Sequence, residues 1–326
     1  LNMEIVRELT DKEESMSWHA EAALDDISVR KGLIGIELKQ MPLRLSANGR
    51  YSPESDLASI DSFAAELADL NMLKLHGTIG DISAGPPDMR ITAKISSIPL
   101  EKIKSILYAP EAAWLAETDA DGTFSADLTV SGSYTSPQIL GVVSIQGRML
   151  SLGNTVLQSF SVRLPFEYQG SSMLIKQALI QAGSVVLLSN GKEYFADNNI
   201  FIKGDIEGDI TGKMFKGRDF LINAGFFKGI TASADISTAE PVTINADLSY
   251  NSVDIDEVSR VFPHNIFTEK GYTIAGKGAM HMTGRIVIPK NSASQISGIT
   301  SVELKNAGLS SADGSVICEG IQMKAS

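Results

Sequence analysis

Apolar and polar residues alternate with a period of two in segment after segment of this 326-residue chain. That period puts the apolar members of each segment on one side of a pleated strand. Met89, Ile91, Ala93 and Ile95 alternate with Arg90, Thr92, Lys94 and Ser96, and Phe124, Ala126, Leu128 and Val130 alternate with Ser125, Asp127, Thr129 and Ser131. Val156, Gln158, Phe160, Val162, Leu164 and Phe166 share one face with a single polar exception, and Ile244, Ala246, Leu248 and Tyr250 alternate with Asn245, Asp247 and Ser249. Asp121-Gly122, Gly153-Asn154, Asn190-Gly191 and Asp313-Gly314 supply turn chemistry and are the predicted hairpin tips. The pattern predicts an all-β fold with a few short helices, an antiparallel meander in which each strand has one apolar side.

Three segments carry a helical period instead. Ser55 to Met72 places Leu57, Ile60, Ala64, Leu67 and Asn71 on one stripe, with Ser55 as the cap. Pro99 to Leu107 aligns Leu100, Ile103 and Leu107, and Asp254 to Phe262 aligns Ile255, Val258 and Phe262.

The two shorter helices belong to an internal repeat. Asp81-Ile82-Ser83 with Pro87 matches Asp235-Ile236-Ser237 with Pro241 at one interval of 154 residues. In each copy an alternating strand leads to the short helix. Then follow Gly122-Thr123-Phe124-Ser125-Ala126 in one copy and Gly271-Tyr272-Thr273-Ile274-Ala275 in the other. Gly141 to Ile145 then corresponds to Gly298 to Val302, and Val156 to Val162 to Val316 to Met323. The expected organisation is the end of a preceding unit over 1–72, a full unit over 73–225 and an incomplete one over 226–326, in an array expected to continue. Units that each leave a sheet edge and an apolar face uncovered are stabilised by stacking, which favours an elongated structure over separate globules.

Composition narrows the function classes. At 43% hydrophobic and 21% charged the chain is globular rather than disordered. Its net charge of -11 disfavours nucleic acid, whose binding rests on clustered Lys and Arg. One cysteine, Cys318, excludes an internal disulfide and reads as a small buried hydrophobe in a strand. No run of about 18 apolar residues occurs, so any membrane anchor is expected outside this stretch.

Catalytic chemistry finds no support in the residues, and no catalytic residue, cofactor or metal is expected. His19, His76, His264 and His281 lack ligand spacing. Asp254, Asp256 and Glu257 fit the first turn of a helix better than an acid/base pair. Gly204-Asp205-Ile206-Glu207-Gly208-Asp209-Ile210 departs from the calcium β-roll pattern and reads as strand.

An Asp-Ile-Ser strand, Ser97 to Ile103, Gly122 opening a strand, Ser131-Gly132, Pro137 and Gly141 in that order, with the stretch Ser151 to Leu164, resemble the bacterial AsmA-like superfamily, which includes TamB- and YhdP-type proteins; the resemblance extends from about Ile27 onward. It implies an inner-membrane anchor outside this chain and a periplasmic sheet curled into a repeating β-groove. The apolar interior of that groove would shield the acyl chains of phospholipid, or another acyl lipid, moving between the inner and outer membranes of a Gram-negative envelope. Partner proteins in both membranes are also implied. The lining residues expected on this reading are Ile91, Ile95, Leu128, Val130, Phe160, Val162, Ile244 and Leu248. An aromatic content of 6% and walls of mixed aliphatic residues suit acyl chains. The alternatives are a structural or adhesive β-repeat protein whose apolar faces close on each other, and a β-helix enzyme acting on polysaccharide.

Overall fold

Most strands take the strand before them as an antiparallel neighbour, so most of the chain is a meander. A computed structural model describes residues 2–9, 14–29, 37–67, 70–108, 119–152, 155–189, 192–224, 227–254, 271–288, 295–311 and 317–325. Nearly all of these are in antiparallel strands. The chain divides into two compact units, Leu1–Leu152 with Arg163–Gly170, and Gly153–Val162 with Ser171–Ser326.

In the first unit, β1 (Asn2–Leu9), β2 (Glu14–Val29), β3 (Glu37–Ser52), β4 (Leu57–Leu67), β5 (Leu70–Gly80) and β6 (Asp88–Pro99) pair in sequence. A seven-residue helix, α1 (Leu100–Ile106), and the two-residue β7 (Leu107–Tyr108) follow. β7 returns to pair with the start of β3, Leu107 opposite Leu38. β8 (Asp119–Ser133) then pairs with β6, and β9 (Gln138–Leu152) with β8. β9 also pairs with β10 (Thr155–Gln169); within this unit Gln138 Nε2 donates to Glu167 Oε1 at 2.8 Å.

In the second unit the 155–162 part of β10 lies beside β11 (Ser172–Ser189), where Ser184 Oγ donates to Gln158 Oε1 at 3.2 Å. Sequential pairing continues through β12 (Lys192–Asp209), β13 (Met214–Ala224), β14 (Phe227–Ser237), β15 (Val242–Asp254), β16 (Tyr272–Ile288), β17 (Gln295–Ser311) and β18 (Ile317–Ala325).

The expected helix over Ser55 to Met72 is a β-hairpin, β4 and β5. Its inward residues Ala58, Ile60, Phe63, Ala65 and Leu67 face Tyr51, Gly49, Ala47, Leu45 and Leu43 of β3. A bulge at Asp61 and Ser62 inserts an extra residue between Ile60 and Phe63. That insertion gives the apolar positions one interval of three among intervals of two, which imitates the i, i+3 spacing of a helix. The expected helix over Pro99 to Leu107 is present as α1, with Leu100 and Ile103 half-buried and Glu101 and Lys102 exposed. The one expected over Asp254 to Phe262 lies outside the described residues beyond Asp254.

Turns depart from expectation where a bulge replaces them. Asp121-Gly122 sits inside β8, where Arg148 of β9 is the extra residue and contacts Asp121. A Cβ on Gly122 would come within 2.5 Å of the Gln146 carbonyl oxygen, so the glycine is needed for close backbone approach and not for a reversal. The reversal is at 134–137, where Ser136 N–H donates to the Ser133 carbonyl at 3.0 Å. The other three predicted tips lie outside the described residues; Ser189 pairs with Lys192 on either side of Asn190-Gly191. Asp81-Ile82-Ser83, expected as a strand, forms the turn after β5, whereas Asp235-Ile236-Ser237 ends β14. Asp81 has φ of 55°, which ends the strand in the first copy.

In each unit the turns at one end of the strands are fastened to one another. In the first, Asp56 in the β3–β4 turn accepts hydrogen bonds from Ser83 N–H at 2.8 Å, Ser83 Oγ at 2.7 Å and Tyr51 Oη at 3.0 Å. Tyr134 N–H donates to the Pro87 carbonyl at 3.1 Å, linking the next turn. In the second, Ile210 N–H donates to Ser171 and Thr238 N–H to Lys213, at 2.9 and 2.8 Å.

The hydrogen bonds from Ser83, side chain first and then backbone, hold the Asp56 carboxyl below its ordinary value, and Tyr51 adds to this. The same hydrogen bond to Asp56 pushes the Tyr51 hydroxyl up. A lowered carboxyl pKa stabilises the fold fully above about pH 4 and is lost as pH falls through the folded value. A raised phenol pKa contributes below about pH 10 and is lost as pH rises through its folded value. Corrected for the pH dependence of the intrinsic rate, amide hydrogen exchange at Ser83 is therefore expected to be slow across neutral pH and to lose that protection as the pH falls through the folded Asp56 value. Asp56→Asn should quicken it several-fold at neutral pH; an unchanged rate would show that the turn holds itself.

Candidate functional site

Residues directly opposite in an antiparallel pair share a face, so the ladder register assembles the apolar sides of single strands into rows. In the first unit one row runs Trp18, Gly49, Ile60, Gly77, Ile91, Val130, Ile139 and the next Ala20, Ala47, Phe63, Leu75, Ala93, Leu128, Gly141. The reverse side is polar. There Asn48 contacts His19 and donates to Ser62 Oγ at 3.0 Å, Arg50 pairs with Asp61 at 3.2 Å, and Lys94 pairs with Asp127 at 3.7 Å.

The second unit repeats this arrangement. One row is Phe215, Ile236, Ile244, Ile286, its neighbour Gly217, Ala234, Ala246, Gly284, Gly298, and a third joins Ala232, Leu248 and Met282. On the reverse side Arg218 pairs with Asp235 at 2.7 Å, and His281 bridges Asp247 at 3.5 Å and Ser249 at 2.9 Å.

Large side chains lie flat on these faces because glycines across the ladder or earlier in the same strand leave room for them. Phe220 covers both Gly204 and Gly217, and a Cβ on either would strike its ring. Phe215 covers Gly208, whose Cβ would meet the ring at 2.6 Å; Trp18 covers Gly49, and Leu128 with Phe166 covers Gly141. A ring laid over a neighbouring glycine fills the gap in the sheet without standing away from it. The result is a smooth, low apolar surface.

That surface is only partly withdrawn from water. Among the described residues the buried hydrophobic side chains are few, Leu67, Ala93, Ile98 and Ala126 in the first unit and Phe160, Ile175, Ala178, Ala182, Val185 and Tyr250 in the second, and none of the large ones is sealed completely. A filled two-layer core seals many large side chains. Met282 on the apolar face is 40% exposed.

Ile91 and Val130 are direct cross-strand partners, with Leu128 one row and Ile95 two rows away on the same face, all half-buried. Ile244 and Leu248 share a face of β15, opposite Ile286 and Met282. Val162 is half-buried in the second unit. Phe160 is 2% exposed, among the most buried side chains of the second unit. Gln158, placed by simple alternation on the face of Phe160, is exposed, because Ser159 between them has φ of 50° and breaks the pleat. The alternation alone missed the glycines and Phe220; their signal is glycine recurring at apolar positions of a strand.

Among the described residues no group of three or more His, Cys, Asp or Glu side chains could hold a metal ion, and no helix is long and apolar enough to cross a membrane. No family model, curated protein or solved structure matches the chain.

The flat packing has a direct test. Gly217→Val is expected to destabilise the fold by about 1–3 kcal/mol, the cost of overpacking a filled site, because the new side chain must displace the Phe220 ring. Phe220→Ala in the same molecule should recover part of that loss in thermal or urea unfolding. Additive losses would mean that the ring does not depend on the glycine.

Proposed function

We propose that the apolar faces hold lipid acyl chains, and that the chain is a segment of an AsmA-like periplasmic β-groove. Such a groove would shield phospholipid in transit between the inner and outer membranes. The observation that carries this reading is the continuity of each apolar face across successive strands while its side chains remain half-exposed. A face of this kind in water is unfavourable by roughly 25 cal/mol per Å². Acyl chains can cover it without specific polar contacts, since each buried methylene contributes about 0.8 kcal/mol. Smooth walls of Ile, Leu, Val, Ala and Met with rings laid flat suit a mobile chain better than a fixed headgroup.

On this reading the half-buried Ile91 and Leu128 line the surface of the first unit with Ile95 and Val130, Ile244, Leu248 and Val162 line that of the second, and Phe160 supports the latter from beneath. The repeat over 73–225 and 226–326 would present the same lining twice. The role is distributed, with no catalytic step.

Native mass spectrometry of the gently extracted protein, followed by lipid identification, tests the proposal. Bound phospholipid is expected, and Ile91→Lys with Leu128→Lys, or Ile244→Lys with Leu248→Lys, should lower its stoichiometry while circular dichroism retains the β signal. Lipid-free protein from a lipid-rich extract, or lipid content unmoved in folded lysine variants, would favour the structural or adhesive reading.

A further inference from the structure

The fastened turns of the first unit carry an apolar patch that the strand pattern does not require. Register places Leu57, Gly80, Asp88 and Ser133 in one row across β4, β5, β6 and β8, a width of roughly 14 Å at about 4.8 Å per strand. Leu57 is 39% exposed, Ile82 in the β5–β6 turn 41% and Tyr134 in the β8–β9 turn 58%. Pro53 and Pro86 are exposed beside them.

These side chains are displayed on a rigid base. Asp56 ties the Leu57 turn to the Ile82 turn through Ser83, and the Pro87 carbonyl ties that turn to Tyr134. An apolar residue at a loose loop tip can fold inward, but here each one lies in or next to hydrogen-bonded backbone. A rigid tyrosine with aliphatic and proline neighbours, held at low entropic cost, is the composition of a binding hot spot.

The turns that carry the patch are charged with one sign. Its turns, 53–56, 81–87 and 134–137, contain Glu54, Asp56 and Asp81 and no Lys or Arg, and Asp88 adjoins them. Asp56 is occupied by Ser83 and Tyr51, whereas Glu54, Asp81 and Asp88 are exposed. The nearest basic residues are Arg50, paired with Asp61, and Arg90, one step along β6 on the same face. An anionic membrane surface would be repelled, and a cationic partner attracted.

We propose that this turn end of the first unit docks a segment of a partner protein in which Lys or Arg residues flank apolar ones. The apolar residues would rest on Leu57, Ile82 and Tyr134, with the basic ones facing Glu54, Asp81 and Asp88. This surface lies on turns rather than on the apolar face, so it stands whether or not that face carries lipid.

The probe is a fluorescent leucine–lysine amphipathic peptide titrated into the full chain by anisotropy, with a leucine–glutamate peptide and phosphatidylglycerol vesicles as comparisons. The lysine peptide should bind, more weakly at higher salt, and protect the Leu57, Ile82 and Tyr134 segments from hydrogen exchange. Leu57→Ser with Ile82→Ser and Tyr134→Ser should weaken it at least tenfold, and Asp81→Asn with Asp88→Asn several-fold. Both sets of positions are exposed, so the fold should survive, as unfolding curves will register. Undiminished binding to the triple variant, equal binding of the glutamate peptide, or vesicle binding that depends on the same three residues would overturn the proposal.

Discussion

Antiparallel register is the constraint on which the rest of this structure depends. A strand alternates its side chains between two faces, so a slip of one residue in any ladder would move that strand's whole apolar set to the wet side. Every apolar row described above exists only because successive ladders agree. Bulges threaten that agreement, and the fold contains them by placing a compensating residue opposite. Lys176 and Gln177 bulge out of β11 between Ile175 and Ala178, opposite Asp205 alone, and Asp205 accepts the Gln177 N–H at 2.7 Å. Ile175 still faces Ile206 and Ala178 still faces Gly204, so the row passes the irregularity intact. Arg218 and Asp219 do the same opposite Ser233. Each bulge adds local twist while the sidedness of the strand is restored.

Glycine and large apolar side chains form the second level of order. Where a ring would otherwise stand upright and thicken the apolar layer, a neighbouring glycine lets it lie down, as Phe220 does on Gly204 across the ladder and on Gly217 of its own strand, and Trp18 on Gly49. The layer stays thin, and few of its members are sealed. Cohesion then comes from continuous backbone ladders, fastened turns and partial burial. The polar faces add little, since their ion pairs are exposed and such pairs contribute about 0–1 kcal/mol.

How much of this was legible in the sequence follows from which signals are local. The runs 89–95 of β6, 124–130 of β8 and 244–250 of β15 were readable because alternation within them is unbroken. The β4–β5 hairpin was misread as a helix because the extra residue at Asp61 and Ser62 lies between two alternating runs, and only the neighbouring strands reveal on which side each run belongs. Gln158 was placed on the wrong face for the same reason, a single positive φ at Ser159 that no composition rule announces. Asp121-Gly122 has turn chemistry but uses it for close approach, since its glycine faces the Gln146 carbonyl. The apolar lining was legible in kind from periodicity, whereas its smoothness was not, because that depends on which glycine each ring meets across the ladder.

These features bear on what kind of recognition such a surface supports. A pocket discriminates by enclosing a ligand and pairing its polar groups, which requires side chains that converge from several directions. A ladder face offers side chains that all point the same way and repeat every two residues, with hydrogen-bonding groups turned to the reverse side. It can cover apolar area over a long distance, yet it has little means of distinguishing one aliphatic ligand from another. Specificity for a partner must come from elsewhere in the fold. In the first unit the place where apolar, aromatic and acidic side chains converge is the fastened turn end. Division of labour between an indiscriminate face and a discriminating rim follows from the geometry of a meander, in which faces repeat and only turns are individual.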